Sequence, residues 1–165
     1  MSNNVILIGM PASGKSTVGV VLAKTLGMSF VDTDLLIQNN EGKLLQDIID
    51  QKGLKAFLDA EQRAILSLDC KNTVVATGGS AVLVPKAMTH LKSIGKVFYL
   101  YVDCDILEKR LNDIETRGIA CEKGETPCDI FKARKPFYEK YADITIKTAN
   151  NNVEETVEEI LNNLK

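Results

Sequence analysis

The stretch Gly9-Met10-Pro11-Ala12-Ser13-Gly14-Lys15-Ser16-Thr17 decides how the rest of the chain is read. It fits the pattern G-x-x-x-x-G-K-[ST], the phosphate-binding loop. Val5-Ile6-Leu7-Ile8 before it reads as a buried strand. Val18, Val21, Leu22 and Leu26 after it fall on one face of a helix. A strand, a glycine-rich turn and a helix N-terminus make an anion cradle. Backbone N–H groups and the positive end of the helix dipole point the same way there. Gly9, Ala12, Ser13, Gly14, Lys15, Ser16 and Thr17 are therefore the candidates for holding a nucleotide. Lys15 would reach its β- and γ-phosphates, and the Ser16 hydroxyl would take Mg2+.

Strand-like runs and helical patterns alternate along the rest of the chain. The strands fall at 5–9, 29–32, 73–77, 96–102 and 143–147. Helices are expected at about 15–26, 34–51 with a break near Gly42, 53–69, 84–93, 104–116, 126–141 and 152–164. Such alternation predicts an α/β fold of parallel strands joined by right-handed helical crossovers. Ligands then bind at the carboxyl ends of the strands, so the residues just after each strand are where chemistry is sought.

A length of 165 residues fits one domain. The net charge of -2 gives no general attraction to nucleic acid or anionic membranes. Met1-Ser2-Asn3-Asn4 carries no basic segment, and the apolar run after it is too short for a signal peptide. No apolar run reaches the ~20 residues of a membrane span. These features predict a cytoplasmic protein; a monomer acting on a small molecule is expected. Cys70, Cys104, Cys121 and Cys128 are then expected as reduced thiols. The Cys121/Cys128 spacing matches no common zinc pattern.

After the second strand come Asp32 and Asp34. One carboxylate could hold Mg2+ through a water, and the other could accept a proton from an attacking hydroxyl. The same residues can cap a helix that starts at Thr33 or Asp34. Gly78-Gly79-Ser80 follow the third strand, where adjacent glycines let the backbone come close to a ligand. Arg63 lies off the apolar stripe of its helix and is expected to pair with a nearby acid. His90, the single histidine, is expected to be structural and partly exposed. Arg110 sits late in a helix, and Arg117 opens a loop that could close over a nucleotide and stabilise a transferring phosphoryl group. In Arg134-Lys135-Pro136 the proline predicts a bend or a helix start, and the two cations read as solvated.

Taken together, GMPASGKST, FVDTD, ATGG, KRL with TRG, and RKPFYEKYAD resemble the shikimate kinase family, within the nucleoside-monophosphate-kinase-like group of P-loop proteins. The resemblance runs from Ile6 to about Ile146. It implies a five-stranded parallel sheet of order 2-3-1-4-5, an acceptor-binding segment at about 34–62 and a lid at about 112–126. It implies ATP and Mg2+ as cofactors and phosphoryl transfer to a hydroxyl of a small polyhydroxy acid. By the resemblance, Lys15, Asp34 and Arg117 carry the catalysis, and Ser16 and Asp32 hold the metal. Arg110 packs on adenine, and Asp34, Leu58, Gly78, Gly79, Ser80 and Arg134 face the acceptor.

The chain departs from the family pattern at three places. Leu58 stands where the family has a carboxylate-gripping arginine, Ser80 replaces a third glycine, and Arg117-Gly118-Ile119 replaces Arg-Pro-Leu. Losing one of two such arginines costs a few kcal/mol of carboxylate binding. Arg63 is more than one helical turn away and is a poor substitute. A different sugar-like or hydroxy-acid acceptor is therefore an alternative. A non-catalytic nucleotide-binding regulatory protein is a second alternative, against which the acid pair and Lys15 speak.

Overall fold

A computed structural model describes residues 3–112, 118–121, 124–148 and 151–165. Five parallel strands form its sheet: β1 (Asn4–Ile8), β2 (Ser29–Asp32), β3 (Thr73–Ala76), β4 (Gly95–Tyr101) and β5 (Ile144–Lys147). Their order is β2-β3-β1-β4-β5, as the resemblance implies. β1 lies at the centre because all five of its residues are buried, as suits a strand covered on both faces. It pairs with β3 on one side and β4 on the other, with Leu7 level with both Ala76 and Phe98. The chain therefore leaves β1 and β3 at the same edge, at the point where strand order reverses. Parallel α/β sheets bind ligands there.

Side-chain alternation along β1 splits the core in two. Ile6 and Ile8 face one side, with Ile65, Met88, Leu91, Ile130 and Tyr138. Val5 and Leu7 face the other, with Val18, Leu22, Val157 and Ile160. The helices that supply these residues are α1 (Lys15–Leu26), α4 (Leu54–Leu66), α5 (Pro85–Ile94), α7 (Pro127–Tyr141) and α8 (Val153–Leu164). α6 (Cys104–Asn112) follows β4 and rests on α7. A satellite core joins α2 (Thr33–Glu41), α3 (Leu45–Lys52) and α4 through Ile37, Ile48 and Phe57. Gly42, at φ 65°, ends α2 and splits the helical pattern expected over 34–51.

The cap of α2 is Asp32, whose side chain accepts from the backbone N–H groups of Asp34 and Leu35, so the helix begins at Thr33, one of the two expected starts. Two expectations meet the structure differently. Pro136 lies inside α7 and does not start it. The start is Pro127, held by a reciprocal capping box of Thr126 and Asp129. The bond that Pro136 cannot donate would reach the carbonyl of Lys132, an exposed residue that water can serve. Arg134 is buried rather than solvated. Arg117, and with it part of the expected lid, lies outside the described residues.

Other readings hold. Arg63 pairs with Glu41 at 3.1 Å. The His90 ring makes a hydrogen bond with the Leu68 carbonyl at 2.8 Å.

Candidate active site

The phosphate loop leaves β1 and enters α1 through Gly14, whose left-handed backbone (φ 92°) leaves the helix start without a side-chain cap. A helix N-terminus of this kind favours an anion. Lys15 is buried and folds back along the loop. Its Nζ donates to the carbonyls of Gly9 at 2.8 Å and Met10 at 2.7 Å, and to Ser13 Oγ at 3.3 Å. Gly9 and Ser13 thus position the lysine and do not line the cavity. Arg110, reaching from α6, donates to the Ala12 carbonyl at 2.8 Å and steadies the crest of the loop.

The metal candidates touch each other. Ser16 Oγ donates to Asp32 Oδ2 at 2.7 Å, while Asp32 Oδ1 accepts from the Asp34 N–H at 2.9 Å. One carboxylate therefore caps α2 through Oδ1 and reaches the loop through Oδ2. A hydroxyl beside a carboxylate is a hard-oxygen pair of the kind Mg2+ prefers.

Beside the loop lies a cavity of about 340 Å3. Ala12, Gly14, Lys15, Ser16, Thr17 and Asp32 line its phosphate side. Asp34, Gly79, Ser80 and Arg134 line its other side, together with Phe57. Arg134 is nearly sealed from solvent, donates through Nη2 to the Ala120 carbonyl, and keeps Nη1 without a hydrogen-bond partner among the described residues. A cation held this way is poised for an anionic group. Tyr138, one turn further along α7, donates to the Gly79 carbonyl at 2.6 Å and fixes the glycine turn.

Gly78 and Gly79 are close-approach positions. A Cβ on Gly79 would sit 2.5 Å from Pro11 Cδ, so the β3 exit is pressed against the phosphate loop. A Cβ on Gly78 would sit 2.5 Å from Asp34 Oδ1 and 2.9 Å from Glu61 Oε1. Two carboxylates therefore converge on Gly78, which backs the site rather than lining it.

Glu61 is the residue that sequence reasoning missed. It is fully buried, accepts from Ser80 Oγ at 2.6 Å through Oε2, and has no hydrogen-bond partner at Oε1 among the described residues. Burial pushes its carboxyl up to about 7; the Ser80 hydrogen bond and the charges of Arg134 and Lys15 pull down, and Asp34 pushes up. The signal was present in the spacing: Glu61 falls on the buried stripe of Phe57, Ala64 and Ile65. An acid there needs a partner.

Leu58 does not line the cavity, contrary to its expected place at the acceptor. It is partly buried and packs against the cores on either side of α4. One residue along a helix turns a side chain by about 100°, and packing commits Phe57 to the cavity. Leu58 therefore points elsewhere.

The shikimate kinase family model matches residues 11–165. A shikimate kinase of Syntrophus aciditrophicus is 39% identical, covering 96% of this chain and 89% of its own. The structure of shikimate kinase from Acinetobacter baumannii in complex with shikimate superposes with a TM-score of 0.90 at 30% identity, covering 99% of this chain and 93% of that one. That of Aquifex aeolicus shikimate kinase gives 0.84 at 31%, over 98% and 95%. With the phosphate loop, the paired acids and the buried arginine around one cavity, and a family match over nearly the whole chain, this chain belongs to the shikimate kinase family of ATP-dependent phosphotransferases with an alcohol acceptor.

Proposed function

We propose that this chain transfers the γ-phosphoryl group of ATP to a hydroxyl of shikimate, giving shikimate 3-phosphate. The observation that carries this reading is that Asp34 and Arg134 line the same cavity as Lys15 and Ser16. Arg134 binds the acceptor's carboxylate and so orients its ring. Asp34 accepts the proton of the attacking hydroxyl as the new P–O bond forms and the bond to the β-phosphate oxygen breaks. Lys15 leaves its loop carbonyls for the phosphate oxygens and offsets their charge. Ser16 and Asp32 would hold Mg2+, which when bound would neutralise the charge developing on the phosphates. Arg117 is assigned to the transferring phosphoryl group, and Arg110 to the adenine side of the loop. The relative solved with shikimate bound supports the choice of acceptor.

The enzyme is read as a cytoplasmic monomer acting on a small molecule, without nucleic-acid or membrane partners. The net charge of -2 supports this. No helix among the described residues is long and apolar enough to cross a membrane.

A second acceptor class, another sugar-like or hydroxy-acid compound, is favoured by one observation. Arg134 is the one arginine that lines the cavity among the described residues. Steady-state ADP release with shikimate and with a panel of small polyols and hydroxy acids separates the two. Turnover raised by shikimate supports the first reading, and turnover raised only by another compound supports the second. No acceptor raising turnover above background would sink both.

A further inference from the structure

Away from the cavity, donor atoms from two helices converge. Cys104 Sγ, Cys128 Sγ and a carboxylate oxygen of Asp105 all lie within 4.8 Å of one another. Cys104 and Asp105 open α6, and Cys128 is the second residue of α7. The Cys104 thiol donates to Asp105 Oδ1 at 3.9 Å. Glu108 lies one turn further along α6. We propose that these residues form a binding site for a soft divalent cation of the zinc class, with Cys104, Cys128 and Asp105 as ligands and Glu108 able to supply a fourth oxygen.

The donor set suits that class of ion. Two thiolates with carboxylate oxygen select zinc and its congeners over Mg2+, which takes oxygen alone. Tetrahedral bond lengths of about 2.3 Å to sulfur and about 2.0 Å to oxygen put ligand atoms about 3.3–3.8 Å apart. The observed spread therefore closes by small side-chain rotations, with no backbone movement. Both cysteines are only partly buried, so the ion has an entry path.

The site sits where it would matter. α6 carries Arg110, which grips the phosphate loop at Ala12. α7 carries Arg134, at the acceptor end of the cavity. A bound ion ties the starts of these two helices together. This inference does not depend on which acceptor the enzyme uses.

The test uses the full chain, reduced and stripped of metal. It is titrated with Cd2+, followed by its thiolate-to-metal ultraviolet absorption, and then competed with Zn2+. One equivalent of Cd2+ is expected to give the band and Zn2+ to displace it. Cys104→Ser and Cys128→Ser should each weaken binding by at least about tenfold, since even outer-shell changes at metal sites cost that much. Cys70→Ser should leave it unchanged. Zn2+ should also raise the thermal midpoint of the wild-type chain, because it binds only the folded state. No band, or a band that survives in the Cys104 and Cys128 variants, overturns the proposal. Cys104 packs partly on the core, so if its variant unfolds, Cys128→Ser with an unchanged far-ultraviolet circular dichroism spectrum decides.

Discussion

Ser80 donates its hydroxyl to Glu61 at 2.6 Å in a fully buried contact, and that pair joins two of the chain's unusual features. By the resemblance, Ser80 stands where the family has a glycine, and Glu61 lies three residues after Leu58, which stands where the family has an arginine. Burial holds Glu61 at about 7, up from 4.5. Between those two values the folded chain keeps a proton that the unfolded chain has released. Unfolding free energy therefore falls as pH rises from about 4.5 through about 7. The contribution present at low pH and lost above 7 is up to about 3 kcal/mol. Glu61→Gln removes it. Urea unfolding at about pH 5 and about pH 8 should show wild type losing more stability across that span than the variant. Parallel losses would mean that Glu61 does not titrate there.

Ser80→Ala takes away the one hydrogen bond that Glu61 receives among the described residues. The carboxylate is then buried with neither oxygen satisfied, which costs about 1–3 kcal/mol. Protonated Glu61 suffers less. The variant should be destabilised near pH 8 and close to wild type near pH 5, a difference that a thermal-melt series in pH would read. A loss equal at both ends would assign Ser80 to packing alone.

Gly79→Ala tests the close approach of the β3 exit to the phosphate loop. The new Cβ would meet Pro11 Cδ at 2.5 Å and Pro11 N at 3.1 Å. The second contact is backbone and cannot turn aside. The loop must shift, so KM for ATP and KM for the acceptor should both rise, with about 1–3 kcal/mol lost from stability. An unchanged KM for ATP would show that the loop yields at no cost.

Asp34→Asn keeps the shape of the side chain and removes the proposed proton acceptor. kcat should fall by about 10²–10⁴-fold, the range for a positioned general base. ATP affinity, measured by direct binding, should stay near wild type, because the triphosphate contacts lie at the loop. A variant that loses ATP binding and keeps kcat would place Asp34 on the wrong substrate.

Most of the fold was legible because its signals are local. The loop pattern, the strand before it and the stripe after it lie within residues 5–26 and were enough to place β1 and α1. Gly42 marked the break between α2 and α3 in the same way. What the sequence hid depends on contacts between distant elements. Arg134 reads as a solvated cation until the fold brings the Ala120 carbonyl to it. The direction of Leu58 follows from the rotation of α4 about its axis, which its packing on the sheet and on α2 sets. Cys104 and Cys128 lie 24 positions apart and match no metal spacing, yet the packing of α6 on α7 brings their sulfurs together. Pro136 misled for a different reason: its local rule is sound, but a long helix anchored by Phe131 and Tyr138 in the core overrides one missing bond.

Leu58→Arg ties the acceptor question to the buried acid. Positions 58 and 61 are neighbours on the surface of α4, three residues apart. An arginine there can swing its long side chain toward Glu61 Oε1, which lacks a donor among the described residues. An opposite charge favours the ionised form and works against burial, so Glu61 should fall from about 7 toward the ordinary carboxylate range. The pH-dependent loss of stability between about 4.5 and 7 should then shrink. The same guanidinium adds a second cation near Arg134, and a charge-assisted contact of about 1.5–3 kcal/mol should tighten shikimate binding by tenfold or more. Calorimetric titration of shikimate against both proteins, at about pH 6 and about pH 8, reads both effects. Tighter binding with an unmoved pH profile would mean that the arginine reaches the ligand without touching Glu61. If neither changes in a folded variant, position 58 has no access to the acceptor site, and the acceptor's carboxylate rests on Arg134 alone.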